Sequence, residues 1–408
     1  MSNEPSSGQS SAEGPAFVQP PTDDGFLTAL LGEPRESGDP PIGFVAVGDE
    51  TDADLRYLTG VAGTDRQSAF VRVADERVLC PPIGAVDQVS DQFDGRILSE
   101  RSGDPVGLRA VAALNEGAER TPAASSVVLT PATIPHDAAL YLERAGYELQ
   151  STAAVREARA TKSAAEVDAI AAVQDAAVSS VRQGEAILAT ATATGEELRW
   201  EGEALTAERL RRAVDAELVR RGVQAGGRTA VTAGALAQHE ATGYGGTGAD
   251  TSIRTGEPVR IDVAPHGPHG YHGALSRTVV VDSDGGWERR AYVAVESALD
   301  AALDEIEPGA TVSEVRREVD AEVAAFGFDP GVGSADPTES VHGVGLEPRE
   351  RPQSGGETVE SGSVVAVTPC ASDADYGSVA LGELVAVGED GVERLGEATW
   401  SFSPRPAE

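Results

Sequence analysis

Residues Glu257–Thr278 read EPVRIDVAPHGPHGYHGALSRT and decide the fold of the second half of the chain. Two apolar segments, Val259–Ala264 and Ser276–Val281, flank a turn rich in Gly, Pro and His. β-Branched residues bounded by turn residues are typical of strands. The stretch therefore predicts two strands joined by this turn, and an antiparallel sheet in this part of the molecule.

Helical patterns lie on both sides of the strand pair and give the C-terminal half an α+β character. Ser163 and Glu166 have the spacing of a capping box, which predicts a helix that starts beside Lys162. Further helices are predicted at about Leu205–Arg221, at Trp287–Glu305 and, with a cap at Ser313, at Ser313–Phe326; late strands are predicted at Ser363–Thr368 and Glu383–Val387.

The first 150 residues or so mix strands and helices and predict an α/β domain. Asp54–Gly60 (DLRYLTG) is interpreted as a loop, and His136–Arg144 as a helix that Gly146 closes. The predicted strands are Ile42–Val47, Ser68–Val73, Arg77–Cys80 and Ser125–Leu129.

A second motif, His342–Pro352 (HGVGLEPRERP), completes a pattern that the strand pair begins. Together they resemble the conserved segments of the aminopeptidase P, prolidase and creatinase family, and Asp54–Gly60 and Pro308–Val315 (PGATVSEV) resemble two more. The resemblance implies the pita-bread fold. Residues 1–24 are rich in Ser, Pro, Gly and Glu and are expected to be a disordered acidic tail. The resemblance divides the rest into an N-terminal creatinase/prolidase-like α/β domain (25–155) and an α+β pita-bread domain (156–408).

The resemblance also implies where the peptidases of this family hold their metal ions. Asp262 and His342 match two of the five ligands. The other three fall on residues that supply no carboxylate, namely Ala274, Thr368 and Gly382. Two divalent ions need bridging carboxylates to offset about four positive charges. The sequence therefore argues against a dinuclear site, and Mn, Co or Zn is expected only if the remnant ligands prove sufficient.

Three functions follow from this donor set. The first is a pseudo-peptidase that binds a peptide or a small amino-acid-like ligand in the old cleft. The second is a metal-independent C–N hydrolase like creatinase, in which His239 is the general acid–base. The third is an active Xaa-Pro aminopeptidase or dipeptidase with an atypical site, which the substitutions at the ligand positions oppose.

Four charged residues are candidates for binding the ligand. Arg349 replaces the substrate-contacting His of the family, and its guanidinium is suited to a bidentate contact with a carboxylate. Glu347, Glu350 and Glu383 are candidates for holding a cationic group. The alternative for Arg349 is a structural ion pair with one of the neighbouring glutamates.

The His-rich turn contains a further candidate metal site. His266, His269 and His272 are spaced three residues apart, and three imidazoles can hold a transition metal. The alternative is that they are solvated turn residues.

Composition limits the partners of the chain. The net charge is −35, from 67 acidic and 32 basic residues, and Lys162 is the only lysine. Such a charge repels nucleic acid and suits a salt-rich cytoplasm, where screening reduces self-repulsion. No apolar run approaches the roughly 18 residues of a membrane span, and no signal peptide is visible. A cytoplasmic protein is expected, and the resemblance implies a homodimer.

Overall fold

A computed structural model describes residues 17–33, 40–61, 64–101, 103–117, 126–235, 252–330, 340–353, 355–389, 391–396, 399 and 401–406. Of the segment expected to be disordered, residues 1–16 lie outside these ranges. The remainder, Phe17–Asp24, has no regular secondary structure but makes defined contacts. For example, Asp24 pairs with Arg77 at 3.1 Å between Oδ2 and Nε.

The N-terminal part is built on a mixed six-stranded sheet of order β4-β3-β2-β1-β5-β6. Both faces of the central strand are covered, because Val45 and Val47 enter one apolar cluster and Phe44 and Ala46 enter another. The α/β prediction for this part is confirmed. The elements are α1 (Gly25–Gly32), β1 (Gly43–Gly48), α2 (Ala53–Thr59), β2 (Ser68–Val73), β3 (Glu76–Cys80), a 3-10 turn (Ile83–Ala85), α3 (Val86–Ser90), β4 (Arg96–Ile97), α4 (Val106–Gly117), β5 (Val127–Pro131), α5 (His136–Arg144) and β6 (Glu148–Thr152).

The loop predicted over 54–60 is wrong, because α2 covers most of it. The Asp52 carboxylate caps this helix by accepting from the Leu55 backbone N–H at 2.7 Å. Leu55 and Leu58 are buried one turn apart, and Gly60 ends the helix with a φ of 67°. Three signals of a short helix, a cap, an apolar pair and a terminal glycine, were therefore present in the sequence.

The linker and the first helix of the C-terminal part behave as the capping box predicts. Ser163 and Glu166 exchange the two hydrogen bonds of the box at the start of the long helix α7. Gly184 lets this helix approach the sheet closely, because a Cβ there would lie 2.8 Å from Ile261 Cδ1. The elements are α6 (Ala154–Ala160) and α7 (Ala164–Thr190).

The C-terminal part contains two main antiparallel sheets, of order β10-β11-β12 and β13-β14-β17-β18. A bridge between Ser276 and Gly382 joins the two sheets. The elements are β7 (Thr192–Thr194), β8 (Glu197–Trp200), β9 (Glu203–Ala204), α8 (Ala207–Arg220), β10 (Thr229–Ala233), β11 (Pro258–Val263), β12 (Leu275–Val280), α9 (Trp287–Glu305), α10 (Val312–Ala325), β13 (Val341–Gly343), β14 (Val364–Val367), β15 (Cys370–Asp373), β16 (Gly377–Ala380), β17 (Glu383–Gly388) and β18 (Gly391–Arg394).

Each sheet carries a helix pair on one face. α7 and α8 share an apolar cluster with β10, β11 and β12, while α9 and α10 share another with β13, β14 and β17. The predicted cap of α10 at Ser313 is wrong. Thr311 forms a capping box with Glu314, and the helix begins at Val312. Within the described ranges, no helix combines the length and apolarity that a membrane crossing requires.

A buried ion network joins the two parts of the molecule. The Glu350 carboxylate binds Arg159 Nη2 at 2.6 Å and Lys162 Nζ at 2.7 Å. Arg159 also binds Asp54 of α2 at 2.6 Å and Glu347 at 2.7 Å. Burial opposes ionisation of Glu350, but the two cations outweigh it and hold the pKa of this carboxyl below its ordinary value. The linker is thus fixed to both parts of the molecule by charge.

Glu350→Gln should destabilise the protein by about 3–5 kcal/mol, because Arg159 and Lys162 would keep buried charges without their shared partner. Urea unfolding at fixed KCl concentration measures this change. Glu347→Gln is the matched control, since the Glu347 side chain is 43% exposed against 6% for Glu350. Its cost should stay below about 1 kcal/mol. Equal losses for the two variants would contradict the assignment.

Candidate functional site

The first remnant ligand, Asp262, is held by an arginine of its own strand. Arg260 lies two residues earlier on β11, so both side chains emerge on the same face. Arg260 Nε is 2.8 Å from Asp262 Oδ2, and Ser276 Oγ donates to Oδ1 at 2.6 Å. The guanidinium extends further towards Cys370, with Nη1 3.8 Å from Sγ. A guanidinium therefore neutralises the carboxylate that the sequence motif matches to a metal ligand.

Ala274, the residue that the motif matches to the second aspartate, is held in place by a helix. Gln174 of α7 is fully buried and holds both backbone groups of Ala274. Its Nε2 donates to the Ala274 carbonyl at 2.9 Å, and its Oε1 accepts from the Ala274 N–H at 2.9 Å. The helix thus fixes this segment through an amide side chain.

Thr368 and Gly382, where the resemblance implies glutamates in the family, meet at the bridge between the sheets. The Gly382 N–H donates to the Ser276 carbonyl at 2.8 Å, and the strands lie close together there. A Cβ on Gly382 would lie 2.8 Å from Thr368 Oγ1 and 2.9 Å from Ser276 Cβ. A side chain at position 382 would therefore require Thr368 and Ser276 to shift.

Glu383, the acidic residue next to the missing glutamate, is used inside the protein. It is 1% exposed and forms an ion pair with Arg277 of β12. Arg277 also donates to the carbonyls of Gly382 and Ser276 at 2.5 and 2.8 Å. This pair reinforces the bridge between the sheets.

His342, the second remnant ligand, is buried on β13. Its Nδ1 lies 3.1 Å from the Gly343 carbonyl. Burial, with the nearby charges of Arg349 and Arg316, lowers the pKa of His342 to about 4. The imidazole is therefore neutral near pH 7, and the charges close to it are cationic.

The segment after His342 divides its charged residues between the interior and the surface. Gly343 accepts from Glu350 N at 2.9 Å and turns the chain so that the Glu350 side chain enters the ion network. Arg349 is exposed, and Glu347 is partly exposed while it pairs with Arg159. The proposed binding roles of Arg349, Glu347, Glu350 and Glu383 remain predictions, as do the metal roles of Asp262 and His342.

The three histidines of the turn do not converge on one point. The rings of His266 and His272 are 5.5 Å apart, but His269 points to the Phe17 carbonyl, 3.3 Å from Nε2. No group of three His, Cys, Asp or Glu side chains suited to a metal occurs in the part of the chain that the structure describes. His239, the predicted acid–base, lies outside the described residues.

Sequence reasoning missed Arg260, Gln174 and Arg316. The signal for Arg260 was present, because it alternates with Asp262 along the predicted strand. Nothing in the sequence marks Gln174 or Arg316, since their partners lie about a hundred and about thirty residues away.

Three comparisons with known proteins agree on the relationship. The model of metallopeptidase family M24 matches residues 153–389. The Xaa-Pro dipeptidase of Pyrococcus furiosus is 31% identical over 156 residues, which are 37% of this chain and 42% of that protein. The chain thus matches less than half the length of this curated relative.

Solved structures extend the likeness to the whole fold. The Xaa-Pro dipeptidase of Bacillus anthracis superposes with a TM-score of 0.74 at 18% identity, over 89% of this chain and 94% of that one. The X-Pro aminopeptidase of Thermotoga maritima gives 0.73 at 16% identity, over 88% and 97%. The predicted fold is therefore confirmed: an α/β N-terminal domain is followed by a pita-bread domain.

The free energy of unfolding should decrease as the pH is lowered, because His272 titrates. Burial, with the neighbouring His266, lowers the pKa of His272 to about 3 in the folded protein. The unfolded chain binds this proton near pH 6.5, so the contribution is complete above that pH and is lost as pH falls from there towards 3. His272→Gln should reduce the loss of stability between pH 7.5 and 5.5 by about 1 kcal/mol.

Urea unfolding at several pH values in constant KCl measures this difference. His136→Gln is the control, because His136 is exposed and should leave the pH profile unchanged. An unchanged profile for His272→Gln would show that its imidazole is not kept neutral by the fold.

Proposed function

The chain belongs to metallopeptidase family M24, and we propose that it uses the family's cleft without a metal centre, to bind a peptide or a small amino-acid-like ligand. On this proposal it is a pseudo-peptidase. The Xaa-Pro dipeptidase activity of its named relatives is the alternative that the proposal rejects.

The ion pair between Arg260 and Asp262 carries the proposal. A dinuclear centre places about four positive charges between bridging carboxylates. Here the one carboxylate retained among the five ligand positions already has a cation 2.8 Å away. A divalent ion would have to displace that guanidinium and would then repel it, so the residues present do not fit the metal.

The rest of the donor set supports the same conclusion. Stable sites commonly use three or more protein ligands. Ala274 and Gly382 have no donor side chain, and Thr368 offers only a neutral hydroxyl. His342 is buried beside cationic groups, which disfavours a further positive charge.

The segment after His342 carries groups that suit a zwitterionic ligand. Arg349 is exposed at the end of the His342 motif and is able to form two parallel hydrogen bonds to a carboxylate. Glu347 lies two residues away with a partly exposed carboxylate, which suits an ammonium group. Glu350 and Glu383 support ligand binding less, because both are committed to buried ion pairs.

Metal content and peptidase activity test this proposal. After incubation with Mn²⁺, Co²⁺ or Zn²⁺ in high salt and removal of unbound ion, elemental analysis should find less than about one ion per ten chains. No proline should be released from Gly-Pro under the same conditions. About two ions per chain together with proline release would refute the proposal.

Restoring the donors should restore metal binding only when the arginine is removed. Ala274→Asp with Thr368→Glu gives four donors together with Asp262 and His342, but Arg260 still occupies the centre. Adding Arg260→Leu should raise Mn²⁺ uptake from near zero to about one ion per chain, measured by elemental analysis. Equal uptake with and without Arg260 would show that this residue does not exclude the metal.

A further inference from the structure

Residues Phe17–Asp24 form a strap that crosses from the pita-bread part to the N-terminal part. None of them belongs to a helix or a strand, yet Pro20 is buried. Side chains near the two ends, and not strand pairing along the length, therefore hold the strap on the molecule. The two ends are held in different ways.

The first end of the strap is held mainly by one aromatic ring. Phe17 packs on a small apolar cluster formed by α7, α8 and Val223. Its carbonyl oxygen lies 3.3 Å from Nε2 of His269 in the His-rich turn. Phe17 itself remains partly exposed, and its neighbour Val18 is 71% exposed. This end therefore depends on one apolar contact and one polar contact.

The second end of the strap is held by a guanidinium. Arg77 of β3 forms the ion pair with Asp24 at 3.1 Å, and its Nη2 donates to Thr22 Oγ1 at 3.2 Å. The same side chain donates to the carbonyls of Leu58 and Asp94, each at 2.9 Å. Because Arg77 is fixed by several partners, this end of the strap is the more firmly held of the two.

The middle of the strap is one wall of a pocket at the junction of the two parts. Residues 19–22 line one side of this pocket. The other side is lined by Arg56 and Tyr57 of α2, by Tyr271 of the His-rich turn and by Leu346 of the His342 motif. The strap thus covers a place where both parts of the molecule and two of the sequence motifs meet.

The wall opposite the strap is fixed by hydrogen bonds. The Tyr271 hydroxyl donates to Glu166 at 2.8 Å, and Glu166 belongs to the capping box of α7. Arg56 Nη2 donates to the Glu50 carbonyl at 2.8 Å. Local opening begins where buried contacts are fewest. The strap, and within it the end at Phe17, is therefore the wall of the pocket that moves most easily.

We infer that Phe17–Asp24 is a lid, which opens at its Phe17 end while Arg77 anchors the other, and which controls access to this pocket. Opening exposes Tyr57 and Tyr271 to solvent, and closing covers them. Because Tyr271 and Leu346 belong to two motifs of the candidate site, the lid controls entry to that site from the junction of the two parts. The inference stands without the proposed function, since a lid serves a binding protein and an enzyme alike.

Thiol labelling of the full chain tests the lid. Pro20→Cys places a thiol at the buried position of the strap, and its rate of reaction with iodoacetamide at constant KCl reports opening. Adding Phe17→Ala should raise this rate about ten-fold, because the change removes most of the apolar contact that holds the free end. Val18→Ala is the matched control, since the exposed Val18 side chain contributes little to closure and the rate should not change.

Mass spectrometry separates the introduced thiol from Cys370 and from Cys80, which is a control within the same molecule. Cys80 is fully buried in the N-terminal sheet and should react only when that part unfolds. Phe17→Leu retains part of the apolar contact, so its labelling rate should lie between those of the unaltered strap and Phe17→Ala. This conservative variant decides the question if Phe17→Ala does not fold.

Hydroxyl-radical footprinting gives an independent measure that needs no introduced cysteine. Oxidation of Tyr57 and Tyr271 should rise in Phe17→Ala and in Phe17→Leu, and should stay unchanged in Val18→Ala. Equal reactivity of the introduced thiol and of both tyrosines with and without the Phe17 ring would overturn the inference. So would an equal rise in Val18→Ala, or reaction of Cys80 in parallel with the introduced thiol in Phe17→Leu, which would show general unfolding in place of a moving lid.

Discussion

The carboxylate of Glu350 is the constraint on which the rest of the structure depends. It lies in the interior and binds the two cations of the linker, while one of those cations continues to α2 of the N-terminal part. The network therefore sets where the α/β part, the linker and the motif of His342 meet. A buried ion pair that loses one partner is strongly destabilising, so a change at Glu350 would disturb all three of these segments.

Contacts within the chain hold the segments that the sequence motifs match to the metal-binding positions of the family. Arg260 supplies the positive charge next to Asp262, Gln174 fixes the segment of Ala274, and Arg277 with Glu383 holds the sheets together. Each of these contacts pairs polar groups that belong to the chain itself. These contacts hold the pita-bread fold together in the region of the motifs, whatever chemistry the site carries.

The sequence predicts the fold well because its signals are local. The capping box of Ser163, the helix Trp287–Glu305 and the strand pair around the His-rich turn depend on neighbouring residues and appear as expected. The differences are local as well: Ala53–Thr59 is a helix where a loop is predicted, and the cap of α10 lies two residues before the predicted one. The candidate site is different, because the partners that decide its chemistry lie far apart along the chain. The absence of carboxylates at Ala274, Thr368 and Gly382 is visible in the sequence, but the close approach of the strands at Gly382 follows only from their packing.

The single lysine of the chain has a chemical consequence of its own. Lys162 is 1% exposed at its side chain, and its ammonium is locked onto Glu350. All other basic side chains apart from histidine are arginines, so the folded surface presents guanidinium groups and no lysine ammonium. Acetylation, ubiquitination and amine-directed cross-linking of lysine all require an accessible, deprotonated ε-amine. Lysine-directed reagents should therefore not modify the folded protein. Reaction of Lys162 with such reagents would report unfolding of the linker.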